Sequence, residues 1–242
     1  MPLLAVAVGL SLLGGFGGLL VASTLLVLPS VVRARLVPWL VSYAVGALLG
    51  VALLELLPQA MLTLSAKRVF GTLLGGILVF FVLEKLALWR HCHEHECEVH
   101  HVRGPLVLIG DAAHNFMDGA VIGAAVFTSV PVAVSTAIAV LAHEIPHEVG
   151  DFAILLHAGY SRGRALAYNA VAEAAGLVGA AVAYLFLDSM PHIAPYFLAF
   201  ATASFLYVAM SDLIPDLHRG TFDVNPVRQV LLVAAGIATV LL

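Results

Sequence analysis

Charge is scarce in this chain. Only 11% of its 242 residues are Asp, Glu, Lys or Arg, against about 25% in an ordinary soluble protein. Polar runs are short as well, none longer than about fifteen residues, so no soluble domain is expected beside the apolar bulk. The first apolar run lacks a basic stretch ahead of it and an A-x-A cleavage site after it. It therefore reads as a retained helix rather than a signal peptide. Cysteine is nearly absent: Cys92 and Cys97 are the only two, too few for a disulfide framework. The net charge of -4 says little, because where the charges sit matters more than their sum. No nucleic-acid partner is expected.

Apolar residues make up what is there, 62% of the chain. They fall into eight segments, approximately 3–28, 36–64, 69–90, 104–129, 131–157, 163–187, 194–217 and 224–242. A hydrocarbon core of about 30 Å needs roughly twenty such residues as a helix. Helices are the only fit, because an open sheet leaves backbone groups unsatisfied in lipid. The expected fold is all-α: one polytopic transmembrane domain over residues 1–242, with the lipid bilayer as its surroundings. Arg33, Arg35, Arg90, Arg103, Arg162, Arg164, Arg219 and Arg228 lie in or beside the loops after odd-numbered segments, with Lys85 near them. The opposite side has only Lys67 and Arg68. The positive-inside rule then puts both termini outside. The expected location is the cell membrane, multi-pass, or the inner membrane in a Gram-negative source.

Small residues crowd GLSLLGGFGGLL, YAVGALLG, GTLLGG and AEAAGLVGAA. Such faces let helix backbones approach closely in a bilayer, and they leave room for a homodimer. A weak internal likeness joins LLELLPQ (53–59) to MSDLIPD (210–216): an acid, then aliphatics, then proline.

Two segments hold residues that lipid excludes. Asp111, His114, Asn115 and Asp118 fall at i, i+3, i+4 and i+7 in GDAAHNFMDGAVIG, one stripe of a helix. In AHEIPHEVGDFAILLH, His143 and His147 are four apart and share a face, with Glu144, Glu148 and Asp151 nearby. Glu173 sits near the middle of the sixth segment. A charge at mid-bilayer costs at least about 2.5–3.5 kcal/mol, so structural polarity alone is a poor account of this cluster. Imidazole and carboxylate together suit zinc and neighbouring transition metals. Pro146 lies between the histidines and cannot donate to the Ala142 carbonyl, so a kink is expected there.

HEIPH also spells H-E-x-x-H, in which two histidines bind zinc and the glutamate acts as general base. Proline inside the motif, the extra donors His114 and Asn115, and Glu173 on another helix argue against an intramembrane metalloprotease. A metal sensor that does not transport is a further alternative. No covalent chemistry, and so no enzyme activity, is expected.

HNFMDG followed by HEIPHEVGDFAILL resembles the two signature helices of the ZIP family of zinc and iron transporters. LLELLPQA, VAEAAGLVGA and FLYVAMSDLIPDL resemble its second, sixth and seventh helices, so the resemblance covers essentially the whole chain. It implies a 3+2+3 helix arrangement and uptake of divalent metal into the cytosol through a binuclear site at mid-membrane. His114, Asp118, His143 and His147 would form one position. Asn115, Asp118, Glu144, His147 and Glu173 would surround the second. Histidine-rich HEIPHE forms go with Zn2+ as the transported ion, with Cd2+, Fe2+ and Mn2+ as further candidates. Glu55 stands where many relatives have histidine and is expected to help admit ions. Asp212, Asp216 and His218, with Asp111, Asp151 and His157, are candidates for an exit or accessory role.

One polar tract remains. HCHEHECEVHH (91–101) lies in the expected cytosolic loop 91–103 between the third and fourth helices. His91, Cys92, His93, His95, Cys97, His100 and His101 make it compositionally metal-binding, with no single zinc-finger spacing. It is expected to receive or sense cytosolic zinc.

Overall fold

The computed structural model describes residues 2–92, 103–218 and 225–241, and no strand occurs among them. Helix α1 spans Pro2–Val27. Helix α2 runs over Ser30–Met61. Helices α3 (Ala66–Cys92), α4 (Arg103–Thr128), α5 (Val130–His157) and α6 (Arg162–Ser189) follow. Helix α7 begins at Ala194 and continues through Val208–Leu213 into Ile214–His218, and α8 is Pro226–Val240. These eight rods match the eight apolar segments to within a few residues, apart from the start of α2.

Six of these stretches are long and apolar enough to cross a membrane. The polar stripe of α4 lowers its hydropathy below that level, and α8 has only 15 residues. Apolar side chains on the outside agree with a lipid setting. Phe70, Leu74, Leu78, Phe81, Val82 and Leu83 are all exposed on α3.

Local chemistry sets the ends. Ser129 caps α5 by accepting from the Val132 N–H, and Ser161 caps α6 by accepting from the Arg164 N–H. Gly159, at φ +88°, turns the chain out of α5 in the left-handed region. Helix α5 runs without a break through Pro146, whose missing N–H leaves the Ala142 carbonyl without its usual donor.

Helices α2 and α7 share a feature. Each loosens into π-helical geometry, over Val51–Leu56 and Val208–Leu213, and each then meets a proline, Pro58 or Pro215. The proline cannot bond to the carbonyl four residues back, and a wider turn there relieves the misfit. The likeness of 53–59 to 210–216 thus has a structural counterpart.

Packing follows the small residues. Helices α1, α4, α5 and α6 pack on one another, as do α2 with α8 and α3 with α7. A Cβ on Gly119 or Gly123 of α4 would collide with backbone of α6 at Gly176 or Ala180. Gly46 and Gly236 make the same close approach between α2 and α8. Between α3 and α7, Phe80 packs on Phe200 at 5.2 Å and the Tyr207 hydroxyl donates to Glu84.

Candidate metal centre

The close α4–α6 contact places the α4 stripe against Glu173, and α5 supplies the facing donors. His114, Asp118, His143 and Glu144 present one ligand atom each within 4.8 Å of one another. His114 Nε2 lies 3.3 Å from His143 Nε2 and 3.3 Å from Glu144 Oε1. His143 Nε2 lies 3.4 Å from Glu144 Oε1 and 2.8 Å from Asp118 Oδ2. Donors at about 2.0–2.1 Å from a tetrahedral ion stand about 3.4 Å apart. Three of these four separations meet that spacing.

The imidazole of His143 is pre-set for a cation. Its Nδ1 lies 3.0 Å from the Ala139 carbonyl. A carbonyl only accepts, so Nδ1 carries a proton, and Nε2, 2.8 Å from Asp118 Oδ2, is the nitrogen that would give its lone pair to a cation.

A second group shares Glu144. Glu144, Glu148 and Glu173 are all buried and their oxygens converge. Asn169 Nδ2 donates to Glu148 Oε2 at 2.8 Å. Three carboxylates in one buried space repel one another unless protons or a cation intervene. Asp118 Oδ1, Glu144 Oε2, Glu148 Oε1 and Glu173 Oε1 are buried and accept no hydrogen bond. Helix α1 makes room for this group with glycine: a Cβ on Gly15 would strike the Glu173 carboxylate, and one on Gly18 would press on Glu144.

The remaining candidates fall in different places. His147 Nδ1 faces Asp111 and Asp151, at 3.9 and 3.8 Å, and its ring lies 4.9 Å from that of His114. Asn115 is buried and donates to Asp111 Oδ1 at 2.9 Å. Glu55 is half-buried on the π-helical turn of α2 and joins none of the groups. Asp212 on α7 and His218 at its end are exposed and also join none. Asp216 and His157 lie on α7 and α5, and His91 and Cys92 on the last turn of α3. His93, His95, Cys97, His100 and His101 fall outside the described residues.

Asn169 was not legible as a site residue, and Glu148 only as a neighbour of one. Each lies four residues from a residue singled out above, Asn169 from Glu173 and Glu148 from Glu144. That spacing puts both on the same helix face, which was the available signal.

A family model described as "ZIP Zinc transporter" matches residues 89–242, which include both signature helices. The chain belongs to the ZIP zinc transporter family. Among relatives of that family, zinc transporter ZIP13 of Pongo abelii is 33% identical over 96% of this chain and 76% of its own length. Zinc transporter ZIP4 of Homo sapiens is 44% identical, over 47% of this chain and 18% of the relative. Zinc transporter ZIP10 of Mus musculus is 38% identical over 49% of this chain and 14% of the relative. The ZIP match and the donor groups fall on the same helices, α4, α5 and α6.

Proposed function

We propose that this protein carries Zn2+ across a membrane into the cytosol. One ion would sit among His114, Asp118, His143 and Glu144, and a second among Glu144, Glu148 and Glu173, with Asn115 and His147 alongside. Glu144, shared by both groups, would bridge the two ions. The single observation that carries the reading is the near-tetrahedral spacing of nitrogen and oxygen donors, three buried and His114 part-buried, at the meeting of α4 and α5. Mixed nitrogen and oxygen donors suit an ion that must be released, whereas a closed thiolate set suits a structural one. Cd2+, Fe2+ and Mn2+ are further candidate substrates by donor chemistry. The 3+2+3 arrangement, the outward termini, a plasma or inner membrane setting and a homodimer belong to the same reading.

The protease alternative needs His143 and His147 on one ion. His143 instead lies with His114, Asp118 and Glu144, while His147 faces Asp111 and Asp151. The test is uptake by vesicles containing the purified protein and a trapped zinc dye. Zinc-dependent signal above protein-free vesicles is expected. Cleavage of a membrane-spanning peptide without uptake would replace this reading with the protease, and binding without flux with a sensor.

Acid should weaken uptake. A histidine binds a metal only when neutral, and the ordinary imidazole titrates near about 6.5. Protons compete with the ion for His114 and His143, so initial uptake rates are expected to fall as the medium is made more acid. A rate that rises steeply toward acid would refute simple ligand competition.

Glu55 is proposed to attract ions at the outer approach. Glu55→Ala is expected to raise the zinc concentration for half-maximal uptake several-fold, by loss of one charge at a partly desolvated site. Unchanged uptake kinetics would remove Glu55 from the path.

A further inference from the structure

We propose that Asn169 is a positioning residue for the paired site: it holds Glu148 so that this carboxylate serves the same ion as Glu144 and Glu173. This rests on the transport reading above. It adds to that reading a residue outside the donor set that the ZIP resemblance implies.

The contact is buried from end to end. Asn169 is 0% exposed and Glu148 1%. Asn169 Nδ2 donates to Glu148 Oε2 at 2.8 Å, within the short range of a bond to a charged acceptor. The other oxygen, Glu148 Oε1, is buried and accepts no hydrogen bond. One oxygen is thus tethered and the other is left over. Glu144 Oε2 and Glu173 Oε1 are buried and accept none either. One ligand atom from each of the three acids lies within 4.8 Å of the others.

Two helix turns frame the contact. Glu144 and Glu148 are four apart on α5, and Asn169 and Glu173 are four apart on α6. Each pair therefore lies along one face of its helix. Helices α5 and α6 are consecutive and joined by a short loop. Glu148 lies nine residues before His157, and Asn169 seven after Arg162. The two stand at nearly one level, with Glu144 and Glu173 together one turn further from the loop. Helix α1 adds only glycine beside them, Gly15 at Glu173 and Gly18 at Glu144.

Charge explains why an amide stands at this position. Helices α1, α4, α5 and α6 carry no lysine, and their only arginines are Arg103, Arg162 and Arg164, in first turns. A lysine or arginine at position 169 would hold Glu148, but it would also cancel the negative charge that a cation needs. Leucine, of similar shape, would leave Glu148 Oε2 without its donor. Asparagine donates a hydrogen bond and brings no charge, so it orders the carboxylate and leaves its attraction for a cation intact. Such outer-shell donors are worth about 10–100-fold in metal affinity.

The test is a double-mutant cycle on Cd2+ binding by the full chain in detergent, read by equilibrium dialysis on protein that elutes as folded. Asn169→Leu removes the donor and Glu148→Ala removes the carboxylate. Wild type is expected to hold two ions. Asn169→Leu is expected to raise the dissociation constant of one ion by about tenfold or more and to leave the other within about threefold. Glu148→Ala should weaken one ion at least as much. The double variant should bind within about threefold of Glu148→Ala alone, because a residue that acts through Glu148 then has nothing left to position. Losses that multiply in the double variant would show that Asn169 acts on its own, and would overturn the assignment. So would wild-type binding by Asn169→Leu. His143→Ala separates that failure from a failure of the transport reading: if it loses an ion, the transport reading stands and only the role of Asn169 falls. Should His143→Ala also lose none, the transport reading fails and this role with it. If Asn169→Leu does not elute as folded, Asn169→Ser, whose hydroxyl is one bond shorter than the donor it replaces, takes its place in the cycle under the same criteria.

Discussion

His143→Ala is expected to reduce zinc uptake by about 100-fold or more. Loss of a partner that merely orients a ligand costs about 10–100-fold, so loss of the ligand itself belongs at or beyond the upper end. No other residue can take over. His143 is 2% exposed, its Nε2 contacts His114, Asp118 and Glu144, and its Nδ1 is tied to the Ala139 carbonyl. The ring therefore has one orientation, and that orientation aims Nε2 at the ion. Alanine also takes from Asp118 the imidazole 2.8 Å away, so the rate is read only on protein that elutes as folded. The check is the initial rate in dye-loaded vesicles, normalised to protein of correct elution volume. A rate within threefold of wild type would mean that His143 is a packed side chain and not a ligand.

Gly119→Leu is expected to lower stability and weaken metal binding together. The hydrogen of Gly119 faces the Gly176 carbonyl of α6, a backbone atom that cannot rotate aside. Overpacking a well-filled interior costs about 1–3 kcal/mol, occasionally more. For a chain of this size each kcal/mol lowers the melting temperature by about 2–4 °C. The expected drop is therefore about 2–12 °C in detergent, and separating α4 from α6 also withdraws Glu173 from Glu144. Gly71→Leu is the control, because nothing lies within 4 Å of a Cβ built there. Equal melting temperatures for Gly119→Leu and wild type would show that the α4–α6 contact does not hold the site together.

The helices were legible because a spanning segment must be apolar along its whole length. The eight apolar segments correspond to the eight helices among the described residues. The polar stripe was legible for the complementary reason: Asp111, His114, Asn115 and Asp118 stand out wherever lipid should exclude them. Which donors join which group was not legible. Periodicity puts His143 and His147 on one face, but it cannot say that His143 turns to Asp118 while His147 turns to Asp111 and Asp151. That choice depends on how α4 and α5 pack, and each also packs through glycine on a third helix, α4 on α6 and α5 on α1. Nor could the π-helical turns be read, although Pro58 and Pro215, each following an acid and two aliphatic residues, marked where they would fall. Glu55 and Asp212, both on those turns, join none of the donor groups.

The most direct measurement is anomalous diffraction from crystals soaked in Zn2+. The account predicts a peak about 2.0–2.2 Å from His114 Nε2 and His143 Nε2, with oxygen and no sulfur around it. Peaks confined to the 91–101 tract, with none between α4 and α5, would contradict it.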